Sequence, residues 1–248
     1  MKPLASEVVK LVRKRPLSSP SRANVKPKRR EQPIRYLTLD EWRLFLDTVD
    51  RFEHKLMFRV CYELGCRVGE LVRIQAKHMD FRASTVFIPA DNTKTGVART
   101  SHLPRELMND VRYSLKQRGV IGKRDGRLRK PDAFLFESAD RRRKGMTENR
   151  VRQVFRHYAD RSGLQREYGS DSQGRKLWRF SVHSLRHTHC MHYIHVYKLP
   201  VPVVQRQVGH RTLDATMVYC QPSDEMVGEA YGEARRDSLA AGQSRRYE

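Results

Sequence analysis

No stretch of this 248-residue chain stays apolar for the roughly 20 residues that a membrane-spanning helix needs, and no signal-peptide pattern opens it. Insertion into or export across a membrane is therefore not expected. A Cys-x-x-Cys pair is also missing. Cys61, Cys66, Cys190 and Cys220 are scattered through largely apolar surroundings, which predicts free thiols and excludes a disulfide framework. The chain has no Gly-x-x-x-x-Gly-Lys-Ser/Thr loop to cradle nucleotide phosphates, no His-Glu-x-x-His pair and no internal repeat. Acidic residues are in short supply, with 28 Asp and Glu against 50 Lys and Arg and a sequence pI near 10.3. A balance this basic implies a polyanionic partner, nucleic acid before any other.

The positive charge is unevenly spread. Residues 2–35 carry eleven Lys or Arg against only Glu7 and Glu31. Leu4, Val8 and Val12 allow a short amphipathic helix, but Pro16, Pro20, Pro27 and Pro33 prevent a long one, so 1–33 is expected to be a basic arm or linker. Lys26, Lys28, Arg29 and Arg30 are its candidate DNA contacts. From residue 34 the pattern turns globular. Thr38 and Glu41 form a capping box ahead of the stripe Trp42, Phe45, Leu46 and Val49, and a second helix from about Glu53 ends at Gly65. A short helix over Val68–Ile74 leaves Arg67 at its start. Two strands, 84–89 and 98–103, flank a turn-rich segment with Lys94 at its tip. Further helices are predicted over 104–117, 147–162, 184–197, 201–208 and 213–218, with 163–180 read as a polar, glycine-bearing connection. The fold class is mainly α with a small antiparallel β-sheet (α+β). The expected organisation is the arm, a globular domain over 34–221, and a tail over 222–248 in which Met226, Val227, Ala230 and Tyr231 form a short docking helix.

Chemistry resides in separated pieces: Gly65-Cys66-Arg67-Val68-Gly69-Glu70-Leu71, Lys94, His183-Ser184-Leu185-Arg186-His187, Gly209-His210 and Tyr219. Phosphodiester transfer builds negative charge on non-bridging oxygens, and the planar guanidinium forks of Arg67 and Arg186 suit it. Lys94 on a hairpin tip can protonate a leaving 5′-oxygen, and His183 or His210 can move the nucleophile's proton. Tyr219 is the candidate nucleophile. A phenol titrating near about 10 is ionised about once in a thousand at neutral pH, so the two arginines are expected to lower it. The histidine run His183, His187, His189, His192 and His195 has no partnering carboxylate at ligand spacing, so neither a metal site nor a cofactor is expected.

These pieces resemble the three boxes of the tyrosine recombinase (phage integrase) family. The likeness runs through 65–71, His183-Ser184-Leu185-Arg186-His187-Thr188 and 208–219, with a nine-residue step from His210 to Tyr219 and a β-hairpin lysine at Lys94. It covers roughly 34–231. The resemblance implies a helical catalytic domain for metal- and ATP-independent strand exchange on double-stranded DNA, in integration, excision or resolution of mobile elements. Tyr219 would form a 3′-phosphotyrosyl link. Arg67, Arg186 and His210 would hold the phosphate, His183 would assist proton transfer and Lys94 would protonate the leaving hydroxyl. Glu70 and His187 would support them, with Arg211 a further DNA contact. It also implies a cytoplasmic, nucleoid-associated protein that assembles as a dimer or tetramer on DNA with accessory DNA-bending proteins, its tail packing in cis or into a neighbouring protomer. The segment 1–33 is shorter than the separate DNA-clamping domain usual in the family, which leaves a catalytic fragment or a minimal recombinase as alternatives. Two functional alternatives stay open beside the recombinase: relaxation of supercoils in the manner of a type IB topoisomerase, and DNA binding without catalysis.

Overall fold

The computed structural model describes residues 34–138 and 145–220, together with positions 227, 228, 231, 232, 235 and 236. The basic arm with Lys26, Lys28, Arg29 and Arg30, and the start of the tail at Pro222, lie outside the described residues. Within the tail, Val227, Gly228, Tyr231, Gly232, Arg235 and Arg236 are helical, while Met226 and Ala230 lie outside the described set.

Helix α1 (Leu39–Thr48) starts where the sequence places it. The Thr38 hydroxyl accepts from the Glu41 amide at 3.2 Å and the Glu41 carboxylate accepts from the Thr38 amide at 2.9 Å, closing the capping box. It buries Trp42 and Phe45, and the Phe45 ring lies 5.2 Å from Phe58 and 5.0 Å from Phe155. Each such ring removed from water contributes about 1.5–3 kcal/mol, so this aromatic knot anchors the helices around it. Helix α2 (Phe52–Leu64) is buried along most of its length and packs on α4 (Arg105–Gln117) and α6 (Val182–Met191). It stops at Gly65, whose φ of +53° is open to glycine at little cost. A β-carbon there would lie 2.5 Å from Val208 Cγ1, so both the φ and the close approach require glycine. Helix α3 (Val68–Leu71) is only one turn, shorter than the stretch to Ile74 read from the sequence.

After α3 comes a sheet of three antiparallel strands, β1 (Met79–Asp80), β2 (Thr85–Ile88) and β3 (Arg99–His102), with Thr85 opposite His102 and Ile88 opposite Arg99. The β2–β3 hairpin was expected; the two-residue β1 was too short to leave a pattern. Helix α5 (Glu148–Arg161) is capped by Thr147 and buries Val151, Val154, Phe155 and Tyr158. The expectation of a plain connection over 163–180 is overturned by a second hairpin, β4 (Glu167–Ser170) with β5 (Lys176–Trp178). Its turn is set by Asp171, whose carboxylate accepts from the Gln173 and Arg175 amides at 2.9 Å each. All of β4 is exposed, so it has no buried face to alternate with. Helix α6 passes into a π-helical turn over His192–Val196, followed by α7 (Val201–Val208) and α8 (Asp214–Met217). Besides the main core, Cys190, Val204, Val208 and Tyr219 form a small second one. Among the described residues no helix is long and apolar enough to cross a membrane, and no cluster of His, Cys, Asp or Glu is arranged to hold a metal ion.

Candidate active site

The break between α2 and α3 places Arg67 at the N-cap of α3. Its backbone amide donates to the Glu70 carboxylate at 3.0 Å and its guanidinium reaches the other Glu70 oxygen at 3.1 Å. Glu70 is only 1% exposed and has a second cation, Arg99 of β3, at 2.6 Å. Burial would raise the Glu70 carboxyl, but the Arg99 hydrogen bond and charge outweigh it and hold the group below the ordinary carboxylate range. Glu70 is thus an anion at neutral pH, shared by two arginines.

Arg67 opens onto a cleft of about 630 Å³ that is also lined by Arg73, Lys94, Glu148, Arg152 and His183. Lys94 is exposed on the loop between β2 and β3, as its hairpin position predicted. That loop is ordered by Thr93, whose hydroxyl donates to the Ala90 carbonyl at 2.9 Å and accepts from the Val97 amide at 3.1 Å. His183, in the first turn of α6, sits at the cleft mouth. Burial, then the charges of Arg186 and Arg67, keep its imidazole below the usual range.

Arg186 lies one turn deeper and is 1% exposed. Its Nη1 donates to the Gly65 carbonyl at 2.6 Å and the Val208 carbonyl at 2.7 Å, while its buried Nη2 has no protein partner among the described residues. One guanidinium therefore ties the end of α2 to the end of α7 and keeps a donor in reserve. An unpaired buried donor costs roughly 1–3 kcal/mol, a cost that an incoming anion would relieve.

Tyr219 lies behind the cleft rather than on its wall. It is 4% exposed, part of the second core, and its hydroxyl is 2.7 Å from His187 Nδ1. The His210 ring stacks parallel to it at 5.9 Å, oriented by a 2.8 Å hydrogen bond between His210 Nδ1 and the Thr216 hydroxyl. His187 in turn meets His183 edge to face at 4.6 Å, linking the two regions. Burial is the largest influence on all three groups. It pushes His187 down to about 4 and His210 down to about 3, with Arg186 adding to both, so each imidazole is neutral at pH 7. The expectation that two arginines would lower the Tyr219 phenol is not met. Burial, helped by the neighbouring Cys190 thiol, raises it, and the opposing pull of Arg186 and Arg67 is too weak to win.

All eight site positions between Arg67 and Tyr219 are therefore within the described fold, in two groups: Arg67, Glu70, Lys94 and His183 at the cleft, and Arg186, His187, His210 and Tyr219 behind it. Arg211 is exposed on the turn beyond them. Sequence reasoning missed Arg99, although it shares the inward face of β3 with Ser101, and it missed Thr216. It also missed Gln207. The Gln207 side chain bridges the His102 backbone in both directions at 2.9 and 2.8 Å, and the Gln207 backbone carbonyl accepts from the Ser101 hydroxyl at 2.8 Å.

The sequence profile of the phage integrase family matches residues 35–226. The chain belongs to that family. Among curated proteins it is similar to the tyrosine recombinase XerA of Pyrococcus furiosus, 21% identical over 197 residues that make up 78% of this chain and 59% of that protein. It is also similar to XerC of Chlamydia caviae, 23% identical over 86% of this chain and 61% of that one. The integrase-family fold is matched by the crystal structure of XerA recombinase, with a TM-score of 0.61 at 21% identity over 82% of this chain and 66% of that chain. The post-cleavage complex of XerH with its difH substrate matches with a TM-score of 0.60 at 17% identity, over 80% of this chain and 52% of that one. The chain spans 59–62% of the length of the archaeal XerA proteins it matches.

Proposed function

We propose that this integrase-family chain cuts and rejoins duplex DNA as a site-specific recombinase, through a covalent 3′-phosphotyrosyl intermediate at Tyr219. The observation that supports it best is the Arg186 guanidinium, which joins Gly65 and Val208 and so gathers three boxes distant in sequence around one donor left for an anion. In this reading the scissile phosphate enters the cleft and takes the forks of Arg67 and Arg186. Tyr219 then turns out of the second core. Its oxygen forms the bond to phosphorus as the bond to the 5′-oxygen breaks; the phenol proton passes to an imidazole and Lys94 donates one to the departing oxygen. His187 is the imidazole in contact with the phenol, so it, rather than His183, is assigned the proton in the resting arrangement. His183 and His210 are left to hold phosphate oxygens. The phosphotyrosyl bond conserves the energy of the broken one, so rejoining needs no nucleotide.

The relatives support DNA as substrate: the XerH structures hold their difH site, and a λ integrase dimer is bound to a core site. We extend this to self-association of the chain on double-stranded DNA, with accessory bending proteins and the basic arm as further contacts. Binding built on Lys and Arg to phosphates should weaken steeply with salt. The test is a pool of nicked duplexes of randomised sequence, incubated with chelator present. Wild type should retain DNA through denaturing electrophoresis and Tyr219→Phe should not. An absence of any retained species from wild type, or its persistence in Tyr219→Phe, would overturn the reading.

A further inference from the structure

Glu70 poses an electrostatic problem for the cleft. A carboxylate has two oxygens and Arg67 a fork of donors, so the pair is able to close into a bidentate ion pair that would neutralise Arg67 and turn its donors away from a phosphate. In this structure it does not close. Arg67 uses one guanidinium nitrogen on Oε1 at 3.1 Å, and Oε2 is taken by Arg99 Nη2 at 2.6 Å and by the Arg67 backbone amide at 3.0 Å. The Arg99 side chain is 8% exposed and fixed from its other side. Its Nε donates to the Gln207 carbonyl at 3.3 Å, and its Cδ lies 2.7 Å from where a β-carbon on Gly209 would stand. Glycine at 209 therefore leaves the lane along which Arg99 reaches Glu70.

We propose that Arg99 is a positioning residue for the strand-transfer reaction: by occupying one Glu70 oxygen it keeps the Arg67 fork free for the scissile phosphate. The inference rests on the recombinase reading above. The Arg99 guanidinium hydrogen-bonds Glu70 and the Gln207 backbone, and acts on Arg67 only through the shared carboxylate. It also makes the cradle depend on the Lys94 hairpin, because Arg99 begins the strand that leaves the Lys94 loop, and on the Gly209-His210 turn. A hairpin pulled off α7 would let Glu70 recapture Arg67, so one side chain reports the assembly of three segments.

The experiment compares the rate of covalent adduct formation on nicked duplex for wild type, Arg99→Gln, Arg99→Lys, and Arg99→Gln combined with Glu70→Gln, alongside duplex affinity and thermal melting. Loss of Arg99 should slow cleavage by about 100-fold, the scale of removing one oriented donor, with affinity changed less than about threefold because surface phosphate contacts remain. Adding Glu70→Gln removes the carboxylate that captures Arg67 and should recover about tenfold of that rate. A merely structural role predicts the reverse, since deleting both halves of a buried pair adds to the damage or leaves the rate unchanged. Arg99→Lys keeps a cation at Glu70 and should lose only about tenfold, which serves as the readout if Arg99→Gln melts below the assay temperature. The proposal is overturned if Arg99→Gln cleaves within about threefold of wild type, or if the double variant is no faster than the single one. No adduct from wild type would remove the recombinase reading itself, and the inference with it.

Discussion

The cleft and the tyrosine pocket are built from the same helix, α6, yet they are opposites. The cleft is open, polar and cationic: Arg67, Lys94 and His183 face water around about 630 Å³ of space. One turn deeper, Tyr219, His187 and Cys190 are packed in a small apolar core where burial pushes the Cys190 thiol up to about 12 and keeps the imidazoles neutral. In the proposed recombinase reading the phosphate-holding side is prepared before substrate arrives, while the Tyr219 phenol is kept protonated as a packed aromatic. Tyr219 is here a core ring with a satisfied hydroxyl, and the proposed reaction requires it to leave that packing. The pairing teaches that one helix can hold an open cationic surface and a packed, protonated phenol about one turn apart.

That contrast can be broken at several points. The largest effect belongs to Tyr219→Phe, which keeps the ring in the second core but removes the oxygen; adduct formation should fall by about 10⁴-fold or more with the melting temperature nearly unchanged. On the cleft side, Arg67→Gln should cost about 10²–10³ in cleavage rate, measured on the same nicked duplex. Gly65→Ala attacks the joint between the regions, where φ is +53° and Val208 stands 2.5 Å from the new carbon; a loss of about 1–3 kcal/mol is expected from denaturant melts. The smallest expected effect is that of Arg152→Gln, whose 2.5 Å pair with Glu148 is largely exposed and contributes about 1 kcal/mol or less to stability.

Acid tests the buried imidazoles on the tyrosine side. His187, His189 and His210 sit at about 4, 3 and 3 in the fold against 6.5 when unperturbed. Below 6.5 the unfolded chain binds protons that the fold refuses, so stability is full above about 6.5 and is lost as pH falls toward 4 and below. Melting curves from pH 7.5 to 4 should show this drop, and His189→Phe, which removes a fully buried imidazole, should flatten part of it. A melting temperature independent of pH over that range would contradict the picture of neutral, buried imidazoles behind the cleft.

Much of this was legible in the sequence for identifiable reasons. Gly65 announced the end of α2, the strand-like run 84–89 ahead of a turn-rich segment announced the hairpin that carries Lys94, and the order and spacing of three boxes singled out the candidate site residues before any contact was known. The β4–β5 hairpin was hidden because β4 has no buried face. Arg99 was hidden because one arginine in a strand looks like any exposed charge until its partner, 29 positions away, is in view. The Tyr219 phenol was misjudged for a physical reason: two arginines nearby in space lower a pKa only if burial does not outweigh them, and burial is not written in a list of neighbours. His187 rather than His183 at the phenol depended on side-chain geometry within one helical turn, finer than spacing resolves.

The most direct measurement is to recover the covalent adduct from wild-type protein and nicked duplex, digest it, and locate the DNA on the peptides by mass spectrometry. The account predicts a single modified peptide carrying a 3′-phosphoryl nucleotide on Tyr219, formed in the presence of chelator. Attachment at any other residue, or through a 5′-phosphate, would contradict it.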